Sequence, residues 1–504
     1  MNDLAIPDFG REIAALLPFL IVAGGGLLVM VTDALVKTLR KDHLSYLVLL
    51  VLLSVIVVQT TSGTPEGPVL NGLLLLGNFS RFFTYLFVVI GVLTTIFATG
   101  IFDRDGNYRP EFYPLLLFAI LGMMVLAAAN DLLTVYLGLE TMSLATYVLA
   151  GGVRGNAPSS EAGFKYLMLG GFSSAFFLMG VAFVYGACGG TGFDQIAAAL
   201  HSGSAPMPFL TLGTGLMLVG FGFKVAMVPF HMWTPDVYDG APAYVTGFMA
   251  TAIKAAGFAI LLRFVLLTEP MLAFAWYPVL TVLAVLTMSL GNIVALVQGN
   301  IKRMLAWSSI AHAGYLLLGI VAILAPALGG PEMMARAKGI VEEGGAALLF
   351  YLVGYALMNL AAFGIINVMG TEPGVDGDQI SRYAGLSRRQ PVAAATLAVA
   401  MLSLAGIPPM VGFMAKFYIF SVVVKAGLIP LAIIGVINSL ISVYYYLRVI
   451  VVMYMHDTAE DSYQGTEWVS VAAAGLLAFL IIYLGVMPEA FHRGAEIVFR
   501  QISF

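Results

Sequence analysis

Cysteine, charge and histidine are what this 504-residue chain has least of: one cysteine, 10% charged residues and six histidines. A single thiol, Cys188, excludes an internal disulfide, and it excludes an iron–sulfur cluster held by this chain alone. The 24 Lys and Arg against 28 Asp and Glu leave a formal charge of −4. That balance provides no basic surface for nucleic acid and no acidic tail. Among His43, His201, His231, His312, His456 and His492, only His312 lies deep in an apolar run, too few for haem or metal ligation inside a membrane. No phosphate loop or dinucleotide fingerprint sits on a strand-turn-helix unit. The sequence therefore predicts a chain that neither binds nucleotide nor carries electrons by itself, with no metal and no cofactor of its own.

What is abundant is apolar. With 60% hydrophobic residues and a mean hydropathy of +0.95, the chain falls far outside the composition of soluble domains and reads as an all-α polytopic membrane protein. The amino terminus places Asp3, Asp8, Arg11 and Glu12 before a long apolar run. It lacks the positive n-region of a cleaved signal and is expected to be the first spanning helix. A span needs about 20 mostly apolar residues, which predicts helices near 12–34, 43–60, 79–101, 111–129, 131–150, 160–187, 207–231, 242–267, 274–297, 301–324, 344–370, 391–424, 427–455 and 468–487, fourteen in all. No linker separates a soluble domain, and the longest loops are expected near 188–207, 325–343 and 371–390.

The loops that would share one side carry Lys37, Arg40, Lys41, Arg104, Arg109, Arg154, Lys302, Arg303, Arg382, Arg388, Arg389 and Arg448. The other side is poorer, with Arg11, Arg81, Arg263, Arg336, Lys338, Lys425, Arg493 and Arg500. By the positive-inside rule both termini are expected outside the cytoplasm, that is, periplasmic in a bacterial plasma membrane.

The stretch from Gly222 to Asp236 places Lys224 inside an apolar run and Pro229 five residues later. Both are expensive in lipid: a central lysine costs roughly 2.5–3.5 kcal/mol on insertion scales, and a proline removes a backbone hydrogen bond and frees the carbonyl four residues back, here that of Val225. Broken helices are tolerated at membrane depth only where protein or a water-filled cavity receives the exposed backbone. Lys224 is thus the first candidate, with snorkelling from a helix end as the bland reading. A second interrupted stretch, Ser403 to Lys416, repeats the pattern with Gly406, Pro408, Pro409 and one buried lysine. The two breaks lie five predicted helices apart, so they enter the membrane from opposite sides. That is the mark of an inverted repeat, and it divides a single membrane domain over 1–504 into 1–101, a first five-helix repeat over 111–267, a second over 274–455, and a last helix and tail over 468–504.

Glu140 is the only charge between Asn130 and Ala150. A carboxylate at that depth needs a partner, and Lys224 is the natural one if the fifth and seventh helices touch. Lys254 has no carboxylate near it in sequence, which makes it a candidate for proton exchange near neutral pH. Ser308, His312 and Tyr315 share one face of the tenth helix; His312 is a proton bridge between the halves or a histidine bonded for packing. Glu161 and Lys165, His231 and Asp236 rank second, near a loop end, and Asn438 with Ser442 reads as helix–helix glue.

At these residues the chain resembles a known family. The runs Asn130-Asp131-Leu132-Leu133-Thr134-Val135-Tyr136-Leu137-Gly138-Leu139-Glu140, Trp233-Thr234-Pro235-Asp236-Val237-Tyr238, Asn300-Ile301-Lys302-Arg303-Met304-Leu305-Ala306-Trp307-Ser308-Ser309 and Leu404-Ala405-Gly406-Ile407-Pro408-Pro409 closely resemble the subunit N family of bacterial NADH-quinone oxidoreductase, respiratory complex I. The resemblance spans nearly the whole chain. It implies an antiporter-like proton channel of fourteen helices with an inverted five-helix repeat. It further implies an ion pair of Glu140 with Lys224, a central relay of Lys254 and His312, and an exit lysine at Lys416. NADH, FMN, the iron–sulfur clusters and quinone then belong to partner subunits or their interfaces, and the expected membrane neighbours are the antiporter-like subunit M and the small subunits K and J. A multi-subunit sodium/proton antiporter and a spacer with vestigial channel residues are the alternatives.

Overall fold

The computed structural model describes residues 9–36, 42–61, 65–105, 109–370, 378–457 and 467–500. Lys37, Arg40 and Lys41 of the basic loops and residues 501–504 of the expected tail lie outside the described residues. Three helices, α1 (Phe9–Leu35), α2 (Asp42–Thr61) and α3 (Asn78–Asp105), open the chain. Between α2 and α3 sits a two-stranded hairpin, β1 (Gly67–Val69) with β2 (Leu74–Leu76), so the all-α expectation has one small exception. The strands are three residues each and carry turn residues Asn71 and Gly72 with positive φ, a local feature too short for a periodicity argument.

Next come α4 (Phe112–Ala128), α5 (Leu132–Ala150), α6 (Ala157–Cys188), the short α7 (Phe193–His201) and α8 (Met207–Val225). Asp131 accepts from the backbone N–H groups of Leu133 and Thr134 and so starts α5. The seventh predicted helix ends at Val225 rather than at 231. There the chain turns through Ala226 at φ 58°, and the short α9 (Thr234–Gly240) follows. The helix is terminated, not kinked.

After α10 (Ala243–Phe248) and a single π turn, Met249–Ile253, the run α11 (Lys254–Ala295) doubles back on itself. Lys254 bonds to Ser309, while a Cβ at Gly291 would meet the backbone nitrogen of Ala311 at 2.5 Å. In a straight helix Lys254 and Gly291 would be about 55 Å apart. Its two arms, Ala243–Thr268 with α10 and Leu272–Ala295, therefore stand side by side against α12 (Ile301–Leu324). Asn300 caps α12 through the Arg303 N–H.

The long α13 (Pro331–Val368) begins thirteen residues before the expected 344, so most of the predicted 325–343 loop is helix. Past a short α14 (Leu386–Arg389), the expected 391–424 segment divides into α15 (Pro391–Ala405) and α16 (Val411–Lys425). The chain closes with α17 (Ile429–Met455), α18 (Trp468–Val486) and an amphipathic α19 (Glu489–Arg500) in the expected tail. Among the described residues, 12 helices are long and apolar enough to cross a membrane, and Phe112–Ala128 and Pro391–Ala405 are shorter apolar helices.

Burial sorts these helices into layers. Over an apolar 18-residue stretch of each span, 94% of the residues are buried in Ala243–Thr268 and Ile301–Leu328 and 89% in Pro331–Val368, against 33% in Ala157–Cys188 and Ile429–Met455. The first three therefore form the axis of the bundle, and the others turn one face outward, where an apolar solvent would meet it. Small residues let the inner helices approach. Gly122 on α4 and Gly138 on α5 face each other's backbones, and Gly291 and Gly314 do the same between the second arm of α11 and α12.

A Cβ at Gly314 would meet the Met288 backbone nitrogen at 2.5 Å, with no flexible side-chain end to yield. Gly314→Val is expected to destabilise this crossing by about 1–3 kcal/mol. Thermal unfolding of wild type and variant in lipid nanodiscs measures it, and an unchanged midpoint contradicts the packing.

Candidate functional site

The two broken helices end in the same way. At the end of α8 the Met227 N–H donates to Gly222 O at 2.8 Å and the Ala226 N–H to Phe223 O at 3.2 Å. At the end of α15 the Ile407 N–H donates to Leu402 O at 3.1 Å and the Gly406 N–H to Ser403 O at 2.9 Å. Each is a six-to-one and five-to-two pair around one left-handed residue, Ala226 or Gly406 (φ 85°), the geometry that closes a helix by satisfying its last carbonyls. Each closure leaves the negative end of a half-helix inside the bundle. Other elements hold the first break: the Val228 N–H donates to Thr287 Oγ1 at 3.0 Å and Trp233 Nε1 to Phe223 O at 3.0 Å.

A lysine sits at each of these ends. Lys224 occupies the last turn of α8. Lys416 lies on α16, but its Nζ reaches back to Leu404 O at 3.0 Å and Ala405 O at 3.1 Å, the terminal carbonyls of α15, and to Ser439 Oγ at 3.0 Å. Three acceptors, at about 1.5–3 kcal/mol each for a charged donor, together outweigh the roughly 2.5–3.5 kcal/mol of placing a lysine at mid-membrane. Gly406 is favoured here twice over, for its positive φ and because a Cβ would stand 3.1 Å from Lys416 Cδ.

Lys224, Lys254, His312 and Lys416 are 4%, 2%, 1% and 5% exposed, so none snorkels to an interface and neither lysine of the broken helices faces outward. Lys254 follows the π turn at the start of α11, and its Nζ donates to the backbone oxygen and, at 2.5 Å, to the hydroxyl of Ser309. Such single π turns recur at functional positions. Gly257, one turn on, packs against Lys224, where a Cβ would lie 3.5 Å from Lys224 Cβ. His312 bonds through Nδ1 to the Tyr351 hydroxyl at 2.7 Å and through Nε2 to the Tyr446 hydroxyl at 3.2 Å. Tyrosine rings fill the gaps. Tyr355 lies 5.4 Å from Lys254 Nζ and 5.1 Å from the His312 ring, and Tyr315 lies 5.7 Å from the His312 ring and 5.2 Å from Lys416 Nζ.

The expected ion pair of Glu140 and Lys224 is not made. The Lys224 ammonium donates to Ser143 Oγ at 2.6 Å and reaches Tyr147 OH at 3.4 Å, while Glu140 accepts from the Ser174 hydroxyl of α6. The physical reason is local. Ser143 and Tyr147 stand one and two turns along α5 from Glu140 and meet Lys224 of α8, while Ser174 of α6 meets Glu140, so each charged group has a hydroxyl partner on a neighbouring helix.

The secondary residues gather at the end of the bundle that carries Arg109, Arg154 and Arg303. Lys165 bridges Glu161 and Asp236, each at 2.6 Å, and Arg303 bridges Asp236 at 2.8 Å and Asp239 at 2.7 Å. Partial desolvation alone would raise the Asp236 pKa. The hydrogen bond and charge of Lys165, followed by the Arg303 guanidinium, overcome it and hold the carboxyl below the usual range. His231 is buried edge-on to Trp307, with ring centroids 5.4 Å apart. It thus lies between this ionic cluster and the break after Lys224. Asn438 behaves as glue, donating to Ser289 Oγ at 3.2 Å across helices.

Ser143, Tyr147, Ser174, Ser309, Tyr351, Tyr355, Ser439 and Tyr446 are partners that sequence reasoning passed over. The signal was present: each is a polar side chain inside an apolar span, and several stand three or four residues from one another or from a charged residue. Which of them meet across helices depended on the bundle.

The chain is similar to known membrane proteins over nearly its whole length. The family model described as NADH:quinone oxidoreductase/Mrp antiporter, TM, matches residues 129–442, the segment that holds Glu140, Lys224, Lys254, His312 and Lys416. A relative from Trichlorobacter lovleyi, NADH-quinone oxidoreductase subunit N, is 42% identical over 95% of this chain and 96% of its own length. The protein of the same name from Myxococcus xanthus is 39% identical over 97% and 96%. A chain of respiratory complex I from Thermus thermophilus with bound aureothin superposes with a TM-score of 0.77 at 32% identity, covering 94% of this chain and 98% of that one. A chain of the Mrp complex from Dietzia sp. reaches a TM-score of 0.79 at 20% identity, covering 98% of each, a likeness of fold.

Asp236→Asn is expected to release Lys165 and Arg303 together. The side chains are about a third exposed, so the loss is limited to about 0.2–1 kcal/mol per pair. Because the folded carboxyl titrates lower than the unfolded one, its contribution is complete above the ordinary carboxylate pKa of about 4 and fades as pH falls below that. Unfolding midpoints of wild type and variant should therefore differ equally at pH 5 and pH 8 and converge only as the pH falls below the ordinary carboxylate range; convergence already at pH 6 contradicts the assignment.

Proposed function

We propose that this chain, which belongs to the NADH:quinone oxidoreductase/Mrp antiporter family of membrane subunits, passes protons along the buried line Lys224, Lys254, His312, Lys416. Its type is the antiporter-like, proton-translocating membrane subunit of NADH-quinone oxidoreductase. The observation that carries the residue-level reading is the pair of lysines buried at the negative ends of two helices broken inside the bundle, with Lys254 and His312 between them. Matching closures and matching glycine crossings support an inverted repeat over 111–267 and 274–455.

A proton enters on this reading past Asp236 and His231, reaches Lys224, and leaves from Lys416 on the opposite side. The excess of arginine and lysine at the Asp236 end makes that end cytoplasmic and both termini periplasmic in a bacterial inner membrane. Moving one charge against 100 mV needs ~2.3 kcal/mol, within the range of one or two hydrogen bonds to an ammonium changing partner, ~1.5–3 kcal/mol each. Glu140, held by Ser174, acts on Lys224 through charge rather than contact. NADH, FMN, iron–sulfur clusters and quinone lie with partner subunits, and the membrane neighbours are an antiporter-like subunit M and the small subunits K and J.

Lys224→Ala in the assembled complex is expected to lower NADH-driven proton uptake into vesicles at least about tenfold, since a barrier change of ~1.4 kcal/mol suffices for that factor. Lys224→Arg should be milder. Wild-type pumping in the alanine variant contradicts the reading. For sidedness, Arg154→Cys, highly exposed at the Asp236 end, is expected to react with impermeant thiol reagents from the cytoplasmic face alone; labelling from the periplasm reverses the direction.

A further inference from the structure

Asn292 lies on the Leu272–Ala295 arm of α11, fully buried and not itself titratable. Its amide nitrogen donates to Met288 O at 2.8 Å and to the Tyr315 hydroxyl at 2.9 Å, and lies 3.4 Å from Asn438 Oδ1. Its carbonyl oxygen accepts from the Tyr445 hydroxyl at 3.0 Å. The Tyr445 ring packs 4.4 Å from that of Tyr446, and the Tyr446 hydroxyl meets His312 Nε2. The Tyr315 ring in turn stands edge-on to His312 at 85° and under the Lys416 ammonium. These contacts close a ring through His312, Tyr446, Tyr445, Asn292 and Tyr315, drawn from three helices.

One member of that ring has no ready substitute. An amide donates with nitrogen and accepts with oxygen at fixed positions, whereas a carboxylate only accepts and a leucine does neither. Asn292 can thus hold one tyrosine hydroxyl as acceptor and the other as donor at once. Because the Tyr315 hydroxyl accepts from the amide, its own O–H proton stays free for another neighbour.

We propose that Asn292 is a positioning residue for the proton step between His312 and Lys416, acting by fixing the Tyr315 ring that stands between them. In that step the N–H proton of a His312 imidazolium is released and taken up on the nitrogen lone pair of a neutral Lys416 amine, with no other net bond change. The inference rests on the proton-translocating reading above. A loosened Tyr315 ring leaves the separation of donor and acceptor undefined, and proton transfer slows steeply with such misplacement.

The test uses the complete complex in vesicles. Asn292→Leu and Tyr315→Phe, which keeps the ring and drops the hydroxyl, are each expected to lower NADH-driven pumping about threefold to tenfold, and the double variant should be no worse than either, because both remove one coupling. The solvent deuterium isotope effect on pumping is expected to rise in all three. Losses that multiply in the double variant, or an isotope effect that stays at the wild-type value, overturn the inference, since a structural role predicts both. If Asn292→Leu does not assemble, Tyr315→Phe with wild-type pumping and isotope effect overturns it alone. Lys224→Ala serves as the control: full pumping there removes the underlying reading, while pumping lost there but intact in Asn292→Leu removes this inference only.

Discussion

An ammonium group in hydrocarbon has to be surrounded by acceptors, and the architecture of this chain follows from meeting that demand at three lysines and one histidine. A continuous helix offers no free carbonyls in its interior, because each is taken by the N–H four residues on. Ending a helix at mid-bundle exposes carbonyls and concentrates about half a negative charge at the stump. The chain does this twice, at Ala226 and Gly406, and sets Lys224 and Lys416 at the two stumps. The freed backbone then has to be enclosed by protein, which is why α12, the first arm of α11 and the part of α13 from Gly344 onward are almost wholly buried and why glycines line their crossings.

The choice of partners matters as much as their number. Hydroxyl groups dominate: Ser143 and Tyr147 at Lys224, Ser309 at Lys254, Tyr351 and Tyr446 at His312, Ser439 at Lys416. A hydroxyl accepts from an ammonium and, turned about its C–O bond, donates to a neutral amine. A carboxylate in direct contact would bind only the charged form well, and removing the proton would strand a buried anion at a cost of several kcal/mol. On the proposed proton path, keeping Glu140 on Ser174, beside the lysine and not on it, leaves Lys224 free to change protonation state. Carbonyls are the exception at Lys416 and, through Ser309 O, at Lys254.

Much of this was legible in the sequence. Each expected span falls on a helical segment, because length and apolarity alone decide what crosses about 30 Å of hydrocarbon. The breaks near Lys224 and Lys416 were readable from proline and glycine set beside a buried charge. The stop at Val225 was misplaced by several residues because alanine is an uncommon left-handed residue and gives no warning. The early start of α13 was hidden by its polar first turns, Glu332 to Glu343, which form helix without resembling a span. The Glu140 and Lys224 pair failed for a different reason: sequence can place two charges at one depth, but which hydroxyl stands between them is decided by the rotation and tilt of helices, set by packing against neighbours. The same holds for Asn292, whose partners Tyr315, Asn438 and Tyr445 come from other helices.

The central claim is that Lys224, Lys254, His312 and Lys416 share one polar line through the membrane plane. An experimental map of the complete complex in lipid, at a resolution that shows water, tests it most directly. The account predicts ordered waters, each with two to four polar partners, between Lys224 and Lys254 and between His312 and Lys416, with a wet path from Asp236 past His231. Dry apolar packing across those intervals would contradict it.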